Sequence, residues 1–185
     1  PTYTSGFNGL ANHAIALSGS SQFLTASNGI GNYDVQDFSM SGWFKINSLS
    51  STAGLFFRGE YQISGYYAEV EANGSIFFSV NQSGANTSIS TSAGVITVGT
   101  TNFIVFTKIG TTATIWVNNV VKATGTVSNP ITSVSYVYMV GAYYNANSST
   151  FQNYLNGTVD DARLYQLGLV ATNVATLYAN GAKGP

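Results

Sequence analysis

The sequence predicts an all-β fold in which two antiparallel sheets pack face to face, with one short helix at the C-terminal end. Three observations carry this reading. Apolar and polar residues alternate in many short runs, the period of strands that bury one face. Gly, Asn and paired turn residues separate the runs at short intervals. The tail departs from that period and shows helical spacing.

Strands are predicted at residues 14–17, 22–25, 38–46, 54–58, 66–71, 75–80, 102–109, 112–117, 120–127, 134–140 and 159–165, a number that fits a sandwich. In 38–46, Phe38, Met40, Phe44 and Ile46 share one face, while Ser39, Ser41, Trp43 and Lys45 share a face expected to be partly wet. The run 102–109 is apolar on both faces and is expected to be a central strand. Asn73-Gly74 suits a hairpin between two strands, Gly110-Thr111 separates the next pair, and Asn118-Asn119 can take the positive φ of a hairpin tip. In the tail Leu169, Val170, Val174 and Leu177 fall at helical spacing, with Thr172 to cap the helix and Asn180-Gly181 to end it. No repeat, charge run or linker divides the chain, so one domain over residues 1–185 is expected.

The 185 residues include 22 Ser, 20 Thr, 18 Asn and 20 Gly but only 6 basic and 7 acidic side chains. Such a surface is solubilised by hydroxyls and amides. Six scattered cations cannot make the clustered phosphate contacts of a nucleic-acid binder. Abundant Tyr, Phe, Val and Ile with a net charge of −1 exclude a disordered chain. With no Cys, disulfides, thiolate metal sites and thiol nucleophiles are all excluded. No stretch approaches about 18 uninterrupted apolar residues, and the N-terminus has neither a basic nor an apolar leader region, so no membrane span or uncleaved signal peptide is expected.

Several segments carry a family likeness: "ALSGSSQFLTAS" (16–27), "DFSMSGWFKINS" (37–48), "IVFTKIGTTATIWVNNVV" (104–121), "MVGAYY" (139–144), "YLNGTVDDARLYQLGL" (154–169) and the trailing "VATLYANG" (174–181). Their order resembles that of laminin-G-like, concanavalin A-like lectin jelly-roll domains over nearly the whole chain. The strongest parts are the strand from Phe38 to Trp43, the Ile115-Trp116-Val117-Asn118 hairpin, and the strand carrying Gly157, Asp160, Asp161, Arg163 and Tyr165. The resemblance implies a two-sheet antiparallel jelly roll. It does not fix function, because this fold carries lectins, adhesion modules, glycanases and virion proteins.

Glu69 and Glu71, two positions apart on one strand, point to the same face, with Cα atoms roughly 6.5 to 7 Å apart. Their carboxyls can approach the ~5 to 5.5 Å of a retaining glycosidase. Glycanases similar in fold carry Glu-x-Asp-x-x-Glu or Glu-x-Asp-x-Glu on this strand. Here Gly74 or Asn73 occupies the last position and Glu71 replaces the Asp, so the acid partner is missing and the pair reads as solvated strand carboxylates. His13 has no neighbouring nucleophile or co-ligand, and Gly29-Ile30-Gly31 lacks dinucleotide spacing and reads as a loop. No catalytic residue is assigned, and no enzyme is expected.

Asp160 is the candidate metal ligand. Strict alternation puts it with Ala162 and Leu164, so its carboxylate risks burial without compensation. Three resolutions stand open: a bulge that turns it outward, hydrogen bonds to backbone amides or to Arg163, or a Ca²⁺ held by Asp160 and loop carbonyls, with Asn8 or Asn12 adding neutral oxygens. Several families of this fold hold Ca²⁺ near this strand, with more acidic partners than this sequence offers, and calcium normally takes about six to eight oxygens, often from several carboxylates. No other cofactor is implied.

Tyr66-Tyr67 and Tyr143-Tyr144 lie beside turn-rich segments. Neighbours on a strand face opposite ways, so one member of each pair is expected to be exposed as a glycan or partner contact, with residues 145–153 as rim. Trp116 reads as packing. Asn-x-Ser/Thr triplets begin at Asn73, Asn81, Asn86, Asn147 and Asn156, a number expected by chance in this composition. Two functional readings follow. The first is a structural or interaction protein of an exterior assembly, such as a virion decoration or fibre protein, homo-oligomeric or capsid-bound and also able to hold glycans. The second is a carbohydrate-binding or adhesion module of a larger secreted protein. They place the chain on a virion surface or at an extracellular or cell surface.

Overall fold

The structure, a computed structural model, describes residues 1–27, 29–60, 63–131, 136–145 and 147–181. Among these the elements in chain order are β1 (Thr2–Thr4), β2 (Ala14–Ser18), β3 (Leu24–Ala26), β4 (Phe38–Ile46), β5 (Ala53–Glu60), β6 (Ser64–Val70), β7 (Ile76–Gln82), β8 (Ala85–Ser90), β9 (Thr101–Ile109), β10 (Thr112–Val117), β11 (Val120–Thr126), β12 (Tyr138–Val140), β13 (Tyr143–Asn145), β14 (Thr150–Gln152), β15 (Asn156–Tyr165) and α1 (Ala171–Asn180). Every predicted strand has a counterpart, although residues 134 and 135 of the run 134–140 lie outside the described residues. The unpredicted strands are β1, β13 and β14, each three residues long, and β8, whose sequence ANTSIS has only Ala85 and Ile89 as apolar residues.

The strands form a seven-stranded sheet ordered β1-β2-β15-β4-β9-β10-β11, a six-stranded sheet ordered β3-β12-β5-β6-β7-β8, and the separate hairpin β13-β14. All pairings are antiparallel. The two large sheets enclose an aromatic core. Phe44 meets Phe56 edge-on at 5.4 Å between ring centroids, and Phe106 reaches both Phe56 (6.1 Å) and Phe78 (5.3 Å). Such pairs each add about 0.5–1.5 kcal/mol beyond the burial of their area.

Phe38, Met40, Phe44 and Ile46 face the core as predicted. The opposite face of β4 is not wet. Ser39 and Ser41 are buried because α1 and the segment before it lie over this sheet. Ser39 Oγ donates to the Leu167 carbonyl at 2.9 Å and accepts the Leu169 N–H at 2.8 Å, which pins that segment down. Val174 and Leu169 then bury themselves against Phe103 and Val105, with Trp43 and Trp116 packed alongside. This second layer explains why β9 is apolar on both faces: Ile104 and Phe106 face the core, Phe103 and Val105 face the helix.

Turn chemistry behaves as the residues dictate. Asn118 and Asn119 adopt φ 51° and 64° at the β10–β11 tip, and Asn118 Oδ1 accepts the Phe103 N–H at 2.8 Å. Thr172, predicted as the helix cap, instead lies inside the first turn. The helix begins one residue earlier, and Asn173 reaches back to accept the Val170 N–H at 3.1 Å. Gly181 ends the helix at φ 67°.

Candidate functional site

The tyrosine pairs are where the structure departs most from expectation. Tyr66 is 1% exposed, within the inter-sheet core, its hydroxyl donating to the Gly31 carbonyl at 2.9 Å. Tyr67 points to the other side of the same sheet and is 2% exposed. Neither is therefore the exposed member expected of that pair. The reason is a third layer: a cluster of Phe57, Tyr67, Met139 and Tyr143 covers the outer face of the six-stranded sheet, with Phe23, Phe77, Val137 and Tyr144 packed against it. Tyr143 is buried as well, donating its hydroxyl to Gln152 Oε1 at 3.1 Å across the β13–β14 hairpin. Tyr144 alone of the four remains half-exposed.

Beyond this buried layer lies a surface patch. Phe151, on β14, is 39% exposed. Its ring sits 4.7 Å from Phe23 and 5.4 Å from Tyr144. The chain of rings continues from Tyr144 to Tyr136 at 5.8 Å and from Phe23 to Tyr154 at 6.2 Å. Ser148, Thr150 and Gln152 form a hydrogen-bonded polar cluster on the same hairpin, Gln152 Nε2 donating to both hydroxyls at 3.1 and 3.0 Å, with Gln152 on the Tyr143 face and Phe151 on the Tyr144 face. The predicted rim, residues 145–153, is thus part of the patch itself, apart from residue 146, which lies outside the described residues. Phe23, Tyr136 and Tyr154 carry no signal in the sequence, because no local pattern shows that segments so distant along the chain converge on this hairpin.

Glu69 and Glu71 are not a matched solvated pair. Glu69 is 5% exposed, and Asn153 Nδ2 donates to its Oε2 at 3.3 Å, while Glu71 accepts the Thr52 hydroxyl at 3.1 Å. Burial, then the nearby charge of Glu71, raises the Glu69 pKa from 4.5 to about 7, with the Asn153 bond opposing.

Asp160 resolves by a bulge, but not outward. The β15–β4 register shifts between Asp160 and Arg163, and Asp161 takes φ 50°. Asp160 therefore stays buried, and Asp161 pairs with Arg163 at 2.6 Å. Asp160 Oδ2 accepts the Phe7 N–H at 2.9 Å, whereas its buried Oδ1 has no hydrogen-bond partner among the described residues. Desolvation is the main cause that raises its pKa. Oxygen donors converge here: a Cβ built on Gly6 would stand 2.8 Å from Asp160 Oδ2 and 2.9 Å from Asn8 Oδ1. Among the described residues no three His, Cys, Asp or Glu side chains gather, so any metal here must be one content with a single carboxylate and neutral oxygens. Oxygen-only donors are what Ca²⁺ takes, although it normally gathers about six to eight of them.

No match is found among curated proteins. The chain is similar in structure to the binding domain of botulinum neurotoxin DC in complex with SialylT, at 15% identity and TM-score 0.70, covering 97% of this chain and 44% of that one. It is similar to a structure of botulinum neurotoxin type C, whose cell entry is dependent upon interaction with two ganglioside molecules, at 16% identity and TM-score 0.71, over 97% and 44% of the two chains. The serotype G binding domain gives 15% identity and TM-score 0.71, over 97% and 46%. The chain thus spans less than half the length of these neighbours, and the likeness is one of fold. A family model matches residues 18–175. With its two-sheet jelly roll, the chain belongs to the concanavalin A-like lectin/glucanases superfamily.

Proposed function

We propose that this protein is a non-enzymatic glycan-binding module acting at an extracellular or cell surface. The observation that supports it is the surface ring patch of Phe151, Phe23 and Tyr144, on a hairpin that also carries the polar cluster of Ser148, Thr150 and Gln152. Aromatic faces stack on the apolar face of a pyranose, while hydroxyls and amides meet its edge. The hairpin's own polar groups are uncharged, while Glu60 accepts the Tyr136 hydroxyl at one end of the ring chain. The ganglioside and SialylT ligands of the neurotoxin neighbours agree with a glycan role, though each neighbour is more than twice this chain's length. Glu69, held by Asn153 beneath the hairpin, serves structure in this reading. Ca²⁺, held by Asp160 with Asn8, would brace the N-terminal segment against β15.

A second reading, a virion decoration or other exterior assembly protein, draws on the exposed Tyr3, Val120 and Val121 at the edge strands β1 and β11. It predicts self-association or capture by particles, and glycan binding can coexist with it.

The test is retention on an immobilised-glycan panel by the intact protein and by Phe151→Ala and Tyr144→Ala variants. Retention lost in both variants with unchanged melting temperature supports the patch. Retention that survives both, or none by the parent protein, counts against it.

A further inference from the structure

We infer a second ligand site on the opposite side of the sandwich, in a cleft of about 340 Å³ between the outer face of the seven-stranded sheet and the end of α1, suited to one neutral pyranose. Ser41, Phe103, Asp161, Arg163, Leu177 and Asn180 line it. The volume is at the lower end of the ~300–1,000 Å³ of small-molecule sites, which fits one small ligand and not an extended chain.

The bulge in β15 builds the polar wall. It turns Asp160 inward and Asp161 toward the cleft at φ 50°, a left-handed conformation that Asp tolerates better than most residues. Arg163 Nε donates to Asp161 Oδ1 at 2.6 Å and fixes the carboxylate. A carboxylate has about four acceptor sites, so Asp161 can also accept from a ligand hydroxyl, and the exposed Asn180 amide can both donate and accept. Leu177 and Phe103 supply an apolar floor beside these groups, the combination that a sugar ring with one C–H face and a hydroxyl edge requires.

Charge selects among sugars. Arg163 is committed to Asp161, so the pair is neutral together. The last turn of α1 carries no basic residue, and its carbonyls add partial negative charge at Asn180 and Gly181. An acidic sugar would meet that field unfavourably. Because the cleft and the aromatic patch occupy opposite outer faces, this site stands or falls independently of the patch.

The experiment titrates ¹⁵N-labelled intact protein with the methyl glycosides of glucose, galactose and mannose, and in parallel with glucuronic and sialic acids. At least one neutral glycoside should give saturable shifts at the Asp161, Asn180 and Gly181 amides. Asp161→Asn, which keeps a residue tolerant of positive φ, should weaken that binding at least about tenfold, as expected for losing a hydrogen bond to a charged group. Asn180→Ala, at an exposed position, should weaken it too, and Phe151→Ala should leave it unchanged. The inference is overturned by no saturable shift from any neutral glycoside, by preference for the acidic sugars, or by binding that survives both cleft variants. Binding lost only in Phe151→Ala would assign it to the aromatic patch and equally overturn the second site.

Discussion

Asn153 donates its side-chain N–H to Glu69 Oε2 at 3.3 Å, and its carbonyl accepts the Gly54 N–H at 2.7 Å. One residue at the end of β14 thereby ties the aromatic hairpin to two strands of the six-stranded sheet. The carboxylate it holds is nearly cut off from water, with Glu71 close by, and both conditions favour the protonated form.

That arrangement sets a pH dependence. Since the folded-state pKa of Glu69 is raised to about 7 from 4.5, the folded protein binds more protons than the unfolded chain between those values. The associated stability is complete below pH 4.5 and is lost as pH rises through about 7. The full effect is roughly 3 kcal/mol at most, at 1.36 kcal/mol per pKa unit. Glu69→Gln should flatten the fall of denaturant midpoint between pH 5 and pH 8 and raise stability at pH 8. An unchanged pH profile in the variant would assign the dependence elsewhere.

The helix is held by burial, not by its caps. Val174 has no exposed surface and lies among Phe103, Val105 and Leu169. Val174→Ala should cost about 2 kcal/mol, from two lost methyl groups and the cavity left behind. Val174→Asp places an unpaired carboxylate there and should detach α1, which a shift in Trp43 fluorescence would report because Tyr178 of the helix stacks on that indole at 5.7 Å. Equal effects of both substitutions would contradict this packing.

At Asp160 the proposed ion makes a separable prediction. Calcium at a hundred times its dissociation constant should stabilise the parent protein by about 2.7 kcal/mol, and chelator should reverse this. Asp160→Asn keeps an acceptor for the Phe7 N–H but weakens the ion's charge partner, so the calcium increment should shrink while the calcium-free protein stays folded. A melting temperature indifferent to calcium and chelator leaves hydrogen bonding and the bulge as the whole resolution at this residue.

What the sequence shows of this fold is what depends on neighbours along the chain. Alternation in Phe38 to Ile46 identifies the core face, two-sided apolarity at Phe103 to Phe106 announces a layer on each side, and Asn118-Asn119 names its own turn. What it hides depends on distant segments. Tyr66 and Tyr67 do face opposite ways, but nothing near them tells that a hairpin more than seventy residues on covers the second face. The inward turn of Asp160 likewise follows from register against β4, with Gly42 opposite the extra residues, and Phe151 joins Phe23 only once the sheets have closed.

The central claim concerns that last pair of rings. The most direct measurement is a glycan titration of protein with ¹³C-labelled aromatic side chains. Saturable shifts are expected at the rings of Phe23, Tyr144 and Phe151, vanishing in Phe151→Ala, while the core rings of Phe44, Phe56 and Phe106 stay unmoved. Saturable glycan binding that leaves those three surface rings unshifted, or no binding across a broad panel of glycans, would contradict it.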